Sequence, residues 1–287
     1  MKPIIVQPSE AYELIDSGNG LRLERFGQHT IVRPDPSVLW QPTTPSHPAW
    51  INPDATFVDT EKERWRLRKP QLANGWEVSF EGGAKVLVRP TPFRHVGVFP
   101  EQEANWAWLR SKLKRADKPK VLNLFGYTGV ASIIAAQAGA LVTHVDSSKS
   151  TVFWASDNAK RSALGEKGIR WMVDDVQKFV KRELRRGATY DLIIMDPPVF
   201  GRGAKGEVWR LEEHLGPLLT DIASLLSPNP IGFCLNFYAT SLYPEAVARL
   251  TQEALGDRTG DLGLYSLCLG ESESGKALPT GYCVRSE

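Results

Sequence analysis

Cysteine is scarce in this chain of 287 residues: Cys234, Cys268 and Cys283 form an odd, widely spaced set. That leaves out a disulfide framework and offers no paired ligand spacing for a metal. The five histidines, His29, His47, His95, His144 and His214, are scattered singly, so the sequence predicts no metal site. His144, on an apolar strand, reads as packed rather than catalytic. No apolar run approaches the roughly 20 residues of a membrane helix, and Met1-Lys2-Pro3-Ile4-Ile5-Val6 turns polar too soon for a signal peptide. The expectation is a cytoplasmic protein with no membrane contact. Charge of either sign is nearly balanced, at +2, which by itself names no partner. There is no internal repeat, and nothing in the sequence fixes an oligomeric state.

What is present changes texture near residue 100. Before it, tryptophans, prolines and short alternating runs predict a small β-rich domain over residues 1–100. Leu21–Phe26 and Thr30–Arg33 flank Gly27-Gln28-His29 as one hairpin, and Trp76–Phe80 and Ala84–Val88 flank Glu81-Gly82-Gly83 as another. The proline-rich residues 34–60 read as a long ordered loop. A helix from about Glu101 to Leu113 leads into residues 101–287, where strands and helices alternate. The fold class predicted is α/β, a doubly wound Rossmann-like sheet with the smaller N-terminal β-rich domain attached.

The most informative stretch joins an apolar strand opened by Lys120-Val121-Leu122 to a helical run after Val130: Asn123-Leu124-Phe125-Gly126-Tyr127-Thr128-Gly129. Its glycines read as positions where a ligand approaches the backbone. The third glycine of G-x-G-x-x-G is missing, which counts against a dinucleotide, and no Gly-Lys-Ser/Thr follows, so the loop lacks the Walker pattern. A cofactor without phosphates, S-adenosylmethionine, suits it better. A second strand, Leu141–Val145, ends on Asp146-Ser147, with Asp146 twenty residues after Gly126, the separation that delivers a carboxylate to a ribose diol. A third, Ile169–Val173, ends on Asp174-Asp175, where an acceptor for an adenine amino group belongs. A fourth, Tyr190–Met195, runs into Asp196-Pro197-Pro198-Val199-Phe200. Pro197 and Pro198 fix φ and remove two donors, stiffening the loop that holds Asp196, while Phe200 is placed to stack on a base. Ligands in open α/β sheets bind beyond such strand ends.

These residues resemble the class I S-adenosylmethionine-dependent methyltransferases. Within them they resemble the bacterial large-subunit ribosomal RNA methyltransferases of the RlmI and RlmKL (K-half) group, over roughly residues 75–245. The segment Gly97-Val98-Phe99-Pro100-Glu101-Gln102-Glu103-Ala104-Asn105-Trp106 belongs to the match and implies cofactor contacts for Phe99 and Gln102. One departure concerns chemistry. The cytosine-C5 branch of the family uses a cysteine after the next strand, and Leu235-Asn236-Phe237-Tyr238-Ala239-Thr240-Ser241 has none. Cys234 falls inside the apolar run Ile231–Leu235, where a thiol behaves as a small hydrophobe. The expected reaction is therefore methylation of a base nitrogen in ribosomal RNA, with Asp196, Pro197, Pro198 and Phe200 at the reacting centre.

Two basic clusters bear on the partner: Arg110, Lys112, Lys114, Arg115, Lys118 and Lys120, then Lys178, Lys181, Arg182, Arg185 and Arg186. Each reads either as a solvated face or as an RNA contact. Gly201-Arg202-Gly203-Ala204-Lys205-Gly206, directly after Phe200, reads as a flexible cationic loop able to close on phosphate. The competing readings are a methyltransferase acting on a protein or small molecule, a nicotinamide-dependent oxidoreductase, and a non-catalytic RNA-binding relic of the fold.

Overall fold

The computed structural model describes all residues except 59, 61–63, 115, 166–167, 204–205 and 239–240. The chain divides into two compact units. One comprises Met1–Ile4, Glu103–Leu267 and Thr280–Glu287, the other Ile5–Gln102 with Cys268–Pro279.

After β1 (Lys2–Val6), the strands β2 (Tyr12–Gly18), β3 (Leu21–Phe26) and β4 (His29–Pro34) pair antiparallel in the β-rich unit. The β3–β4 hairpin turns at Gly27, φ +59°, as its sequence predicts. The proline-rich stretch is not all loop: it holds the short helix α1 (Pro48–Ile51) and β5 (Ala55–Phe57), which lies parallel to β4 and antiparallel to β6 (Trp65–Leu67). One carboxylate ties that stretch down. Fully buried Asp16 accepts hydrogen bonds from the backbone N–H of Ser17 (2.9 Å), Thr43 (3.1 Å) and Thr44 (3.0 Å) and from the Trp50 indole (3.0 Å). A buried anion is tolerable only when its lone pairs are taken up in this way. Glu24, equally buried on β3, is paired with Arg33 through both oxygens and accepts from the Tyr12 hydroxyl at 2.7 Å. The hairpin of β7 (Trp76–Ser79) and β8 (Lys85–Val88) matches its sequence signal, with Gly82 and Gly83 at positive φ in the turn.

The other unit opens with α2 (Glu103–Leu113), entered through a 3-10 turn at Pro100–Gln102. Then come β9 (Lys120–Leu124), α3 (Val130–Gln137), β10 (Leu141–Asp146), α4 (Lys149–Arg161), β11 (Ile169–Val173), α5 (Val176–Arg185) and β12 (Leu192–Met195). A small hairpin follows, β13 (Phe200–Arg202) and β14 (Val208–Arg210), and then α6 (Leu211–Leu225), β15 (Gly232–Phe237), α7 (Pro244–Leu255), β16 (Leu262–Gly270) and β17 (Ala277–Ser286). The main sheet has the order β1-β16-β17-β15-β12-β9-β10-β11. The five strands from β15 to β11 are parallel and β17 is antiparallel to β15.

Parallel strands are covered on both faces, which is why β12 reads as a continuous apolar run. On one face Leu122, Leu124, Ile193, Met195, Phe233 and Leu235 pack with Leu215, Leu219 and Ile222 of α6. On the other, Asn123 reaches Ser132 of α3. The order of strands reverses at β9, with β10 and β11 on one side and β12 and β15 on the other. That reversal opens the crevice in which doubly wound proteins bind ligands. Among the described residues no helix is long and apolar enough to cross a membrane.

Candidate active site

The loop after β9 is strained where it faces the crevice. Phe125 and Tyr127 both adopt positive φ, 55° and 50°, on either side of Gly126. For residues with side chains this costs on the order of 1 kcal/mol each and persists only when the surroundings enforce it. The enforcement is visible. Gly126 N–H donates to Val145 O at 3.0 Å, and Tyr127 N–H donates to Asp146 Oδ2 at 3.0 Å. Gly129, φ +85°, turns the chain into α3, whose first turn has no side-chain cap. A Cβ at Gly129 would lie 2.8 Å from Ala155 Cβ, so glycine lets the loop seat against α4. Thr128 is buried and its carbonyl accepts from the Asn158 amide at 3.0 Å.

Gly126 has a reason within the fold as well. A Cβ there would stand 2.4 Å from the His144 ring, so the missing side chain makes room for an imidazole beneath the loop. His144 is fully buried and sits edge-on to Trp171, 4.9 Å between ring centres. Asn123 donates to Ser132 Oγ at 2.9 Å, and Ser132 Oγ is hydrogen-bonded to His144 Nδ1 at 3.0 Å. Burial pushes the imidazole down to about 3 and keeps it neutral.

Asp146 ends β10. Its second oxygen accepts from Ser148 N–H at 2.9 Å, and Ser148 in turn caps α4 by accepting from Thr151 N–H at 3.3 Å. Burial raises the Asp146 carboxyl above its ordinary value, and the two backbone donors oppose that shift. With two N–H donors and about four acceptor sites, the carboxylate keeps lone pairs for a further donor. Ser147, half-buried, lies between this carboxylate and the α4 cap. The acids after β11 are engaged within the fold. Asp174 is ion-paired with Arg182, and Asp175 caps α5, accepting from Lys178 N–H at 3.0 Å.

The tip of β12 is tied to the first loop through Asp196 N–H, which donates to Leu124 O at 3.3 Å. Trp209 on β14, unremarked in the sequence, clamps both loops. Its indole donates to Pro198 O at 2.6 Å and its ring packs on Phe125, 5.0 Å between centres. Val199 O accepts from Leu211 N–H at 3.0 Å, so the residues flanking the second proline are anchored too. Phe200 is about half exposed, with the Arg202 guanidinium 6.0 Å from its ring centre. The glycine-rich loop after it is partly a hairpin: Phe200–Arg202 pair with Val208–Arg210, while Ala204 and Lys205 lie outside the described residues.

Gly126, Asp146, Asp174 and Asp196 thus come together at one edge of the sheet. Phe99 and Gln102 belong to the β-rich unit, where Phe99 packs against His95 (5.1 Å) and Gln102 ends a buried 3-10 turn. Cys234 lies in mid-strand and fully buried, and the neighbouring Cys283 thiol together with burial pushes it well above the ordinary thiol value. A thiol so held is no nucleophile. Ala239 and Thr240, after β15, are outside the described residues. In the second basic cluster, Lys178, Arg182 and Arg186 are ion-paired with Glu207, Asp174 and Glu183. Arg115 of the first cluster is not among the described residues.

This combination of a sheet reversing at β9, a glycine loop and an acid ending β10 is the architecture of a class I methyltransferase. A crystal structure of a SAM-dependent methyltransferase from Agrobacterium tumefaciens is 44% identical, with a TM-score of 0.93 over 99% of this chain and 93% of that one. The chain belongs to the SAM-dependent methyltransferases, which removes the nicotinamide oxidoreductase alternative. A Streptococcus mutans chain provisionally named a SAM-dependent methyltransferase shares the fold at 19% identity, with a TM-score of 0.72 over 96% of this chain and 76% of that one. Among curated proteins, the ribosomal RNA large subunit methyltransferase K/L of Shewanella sp. (strain MR-4) is 34% identical over 190 residues, 62% of this chain and 26% of that protein. The chain therefore spans about a quarter of the length of that relative. No family model matches the chain.

Proposed function

We propose that the chain transfers the methyl group of S-adenosylmethionine to a nitrogen of a ribosomal RNA base. The observation that carries this reading is the end of β12, where Asp196, two prolines and an exposed Phe200 are clamped by Trp209 beside the strained loop after β9. The likeness to ribosomal RNA methyltransferases supports RNA as the substrate. The bound donor supplies an electrophilic methyl group on a sulfonium.

The residues divide the work. Asp146 accepts from the ribose hydroxyls with the lone pairs its backbone donors leave. Asn123, Phe125, Gly126, Tyr127, Thr128 and Gly129 form the wall for the amino-acid end, and the uncapped N–H groups of α3 suit its carboxylate. Ser147, Asp174 and Asp175 border the adenine side, the two acids with the acceptor capacity that Arg182 and the α5 cap leave over. Phe99 and Gln102 add contacts on the strength of the family resemblance. Asp196 accepts a hydrogen bond from the incoming base, Pro197 and Pro198 hold it stiffly, and Phe200 stacks on the ring, a contact worth about 1–3 kcal/mol. A nitrogen lone pair held in line needs no covalent enzyme intermediate, in keeping with the absence of a cysteine from Leu235–Ser241. The β-rich unit serves substrate recognition.

Labelled-methyl transfer to ribosomal RNA from cells lacking the gene tests the reading. Label in a single RNA nucleotide is expected. Label found only in protein or in small molecules moves the acceptor to that class.

A further inference from the structure

At the C-terminal end of β15 a chain of buried amides has its direction set by a single cation. A guanidinium can only donate. Arg285 Nη1 donates to Asn105 Oδ1 at 2.6 Å and to Ala104 O at 3.1 Å, so the Asn105 oxygen faces Arg285 and its nitrogen faces away. That nitrogen donates to Asn236 Oδ1 at 2.7 Å. Asn236 must then present its oxygen to Asn105 and turn its own Nδ2 outward. The thiols of Cys283 and Cys234 lie 3.5 and 3.8 Å from the same two oxygens as weak donors, which reinforces this polarity. Arg285 is itself held between the rings of Tyr265 (4.9 Å) and Trp108 (5.7 Å).

Among the described residues no acceptor meets the outward amide. Asn236 is 3% exposed, and its hydrogen bonds among the described residues all end on its oxygen. Its two hydrogens are left to donate to a ligand acceptor in place of water. The position is telling as well. Met195 pairs with Leu235 in parallel register, so Asp196 and Asn236 follow as neighbours at the edge of the sheet, on the same face.

Resting on the reading of an RNA-base methyltransferase, we propose that Asn236 orients the substrate. Its Nδ2 donates to a carbonyl oxygen or unprotonated ring nitrogen of the base, beside the N–H that Asp196 accepts, while Asn105 and Arg285 are positioning residues that fix the amide's polarity. The pair reads a heterocycle edge on which a donor and an acceptor are adjacent, and it presents the methyl-receiving nitrogen in one pose.

Asn236→Asp is the direct test. It keeps shape and the bond from Asn105 but has no donors. Asn236→Ala removes the donors without adding charge, and Asn105→Asp keeps the Arg285 contact while taking the donor from Asn236. The expected result is that all three lower kcat/KM for RNA, the Asn236 variants by about 10- to 100-fold. The KM for the methyl donor and S-adenosylhomocysteine affinity stay close to wild type. Wild-type RNA kinetics in both Asn236 variants would overturn the assignment, as would a loss of S-adenosylhomocysteine affinity that matches the loss of rate. A wild-type enzyme that transfers nothing to RNA would overturn the RNA-base reading and this role with it, a result distinct from an active wild type whose Asn236 variants are unaffected.

Discussion

At Gly126 the requirement for glycine comes from below the loop, where the His144 ring fills the space a Cβ would take. Two substitutions separate this from a requirement set by the cofactor. Gly126→Ala should lower stability by about 1–3 kcal/mol and weaken cofactor binding, because the loop must lift off the imidazole. Adding His144→Ala should return part of both losses, which a double-mutant cycle on thermal melting and calorimetric affinity would record as a coupling of about 1 kcal/mol or more. Strict additivity would mean that the ring is not what excludes the methyl group. Here the sequence was only half legible. The pattern of Gly126, Gly129 and Asp146 announces the loop, but a histidine eighteen positions on gives no local sign that it lies under a glycine.

Among the elements, the β13–β14 hairpin is the least expected and the most consequential. Trp209 Nε1 holds Pro198 O while its ring rests on Phe125, so one side chain sets the spacing of the two loops proposed to flank the transfer. Trp209→Phe keeps most of the packing and removes the hydrogen bond. It should slow methyl transfer about 10-fold with little change in cofactor affinity, as single-turnover rates and calorimetry would show. The hairpin is hard to read in advance because its strands are three residues each and lack alternation long enough to register. Strand β12 is legible because burial on both faces leaves an uninterrupted apolar run, Leu192–Met195.

In the β-rich unit the buried pair on β3 and β4 has a pH signature. Burial raises the Glu24 carboxyl, the Arg33 guanidinium lowers it more, and the result is a fall from the ordinary 4.5 to about 2. A carboxyl depressed in the folded state contributes stability in full above its unfolded value and loses it as pH falls toward the folded one. Unfolding free energy should therefore drop by about 3 kcal/mol between pH 4.5 and pH 2 on this account. Glu24→Gln should be less stable at neutral pH and flatter across that window in denaturant titrations.

For the molecule as a whole, the chain order of strand tips was the readable part. Each of β9, β10, β11 and β12 ends on its glycine or acid, and a sheet that reverses at β9 gathers them at one edge. Which acids are already engaged was not readable, since the ion pair of Asp174 with Arg182 and the capping of α5 by Asp175 depend on where a helix begins. Asp146 and Asp196 are the two on which the account divides labour, one for the donor and one for the base. The decisive measurement sets calorimetric affinity for S-adenosylmethionine beside the single-turnover rate of methyl transfer to ribosomal RNA, in wild type, Asp146→Ala and Asp196→Ala. Asp146→Ala should weaken binding by about 1–3 kcal/mol, while Asp196→Ala should bind nearly as wild type and transfer slower by orders of magnitude. Equal losses of affinity and rate in Asp196→Ala, or unchanged affinity in Asp146→Ala, would contradict it.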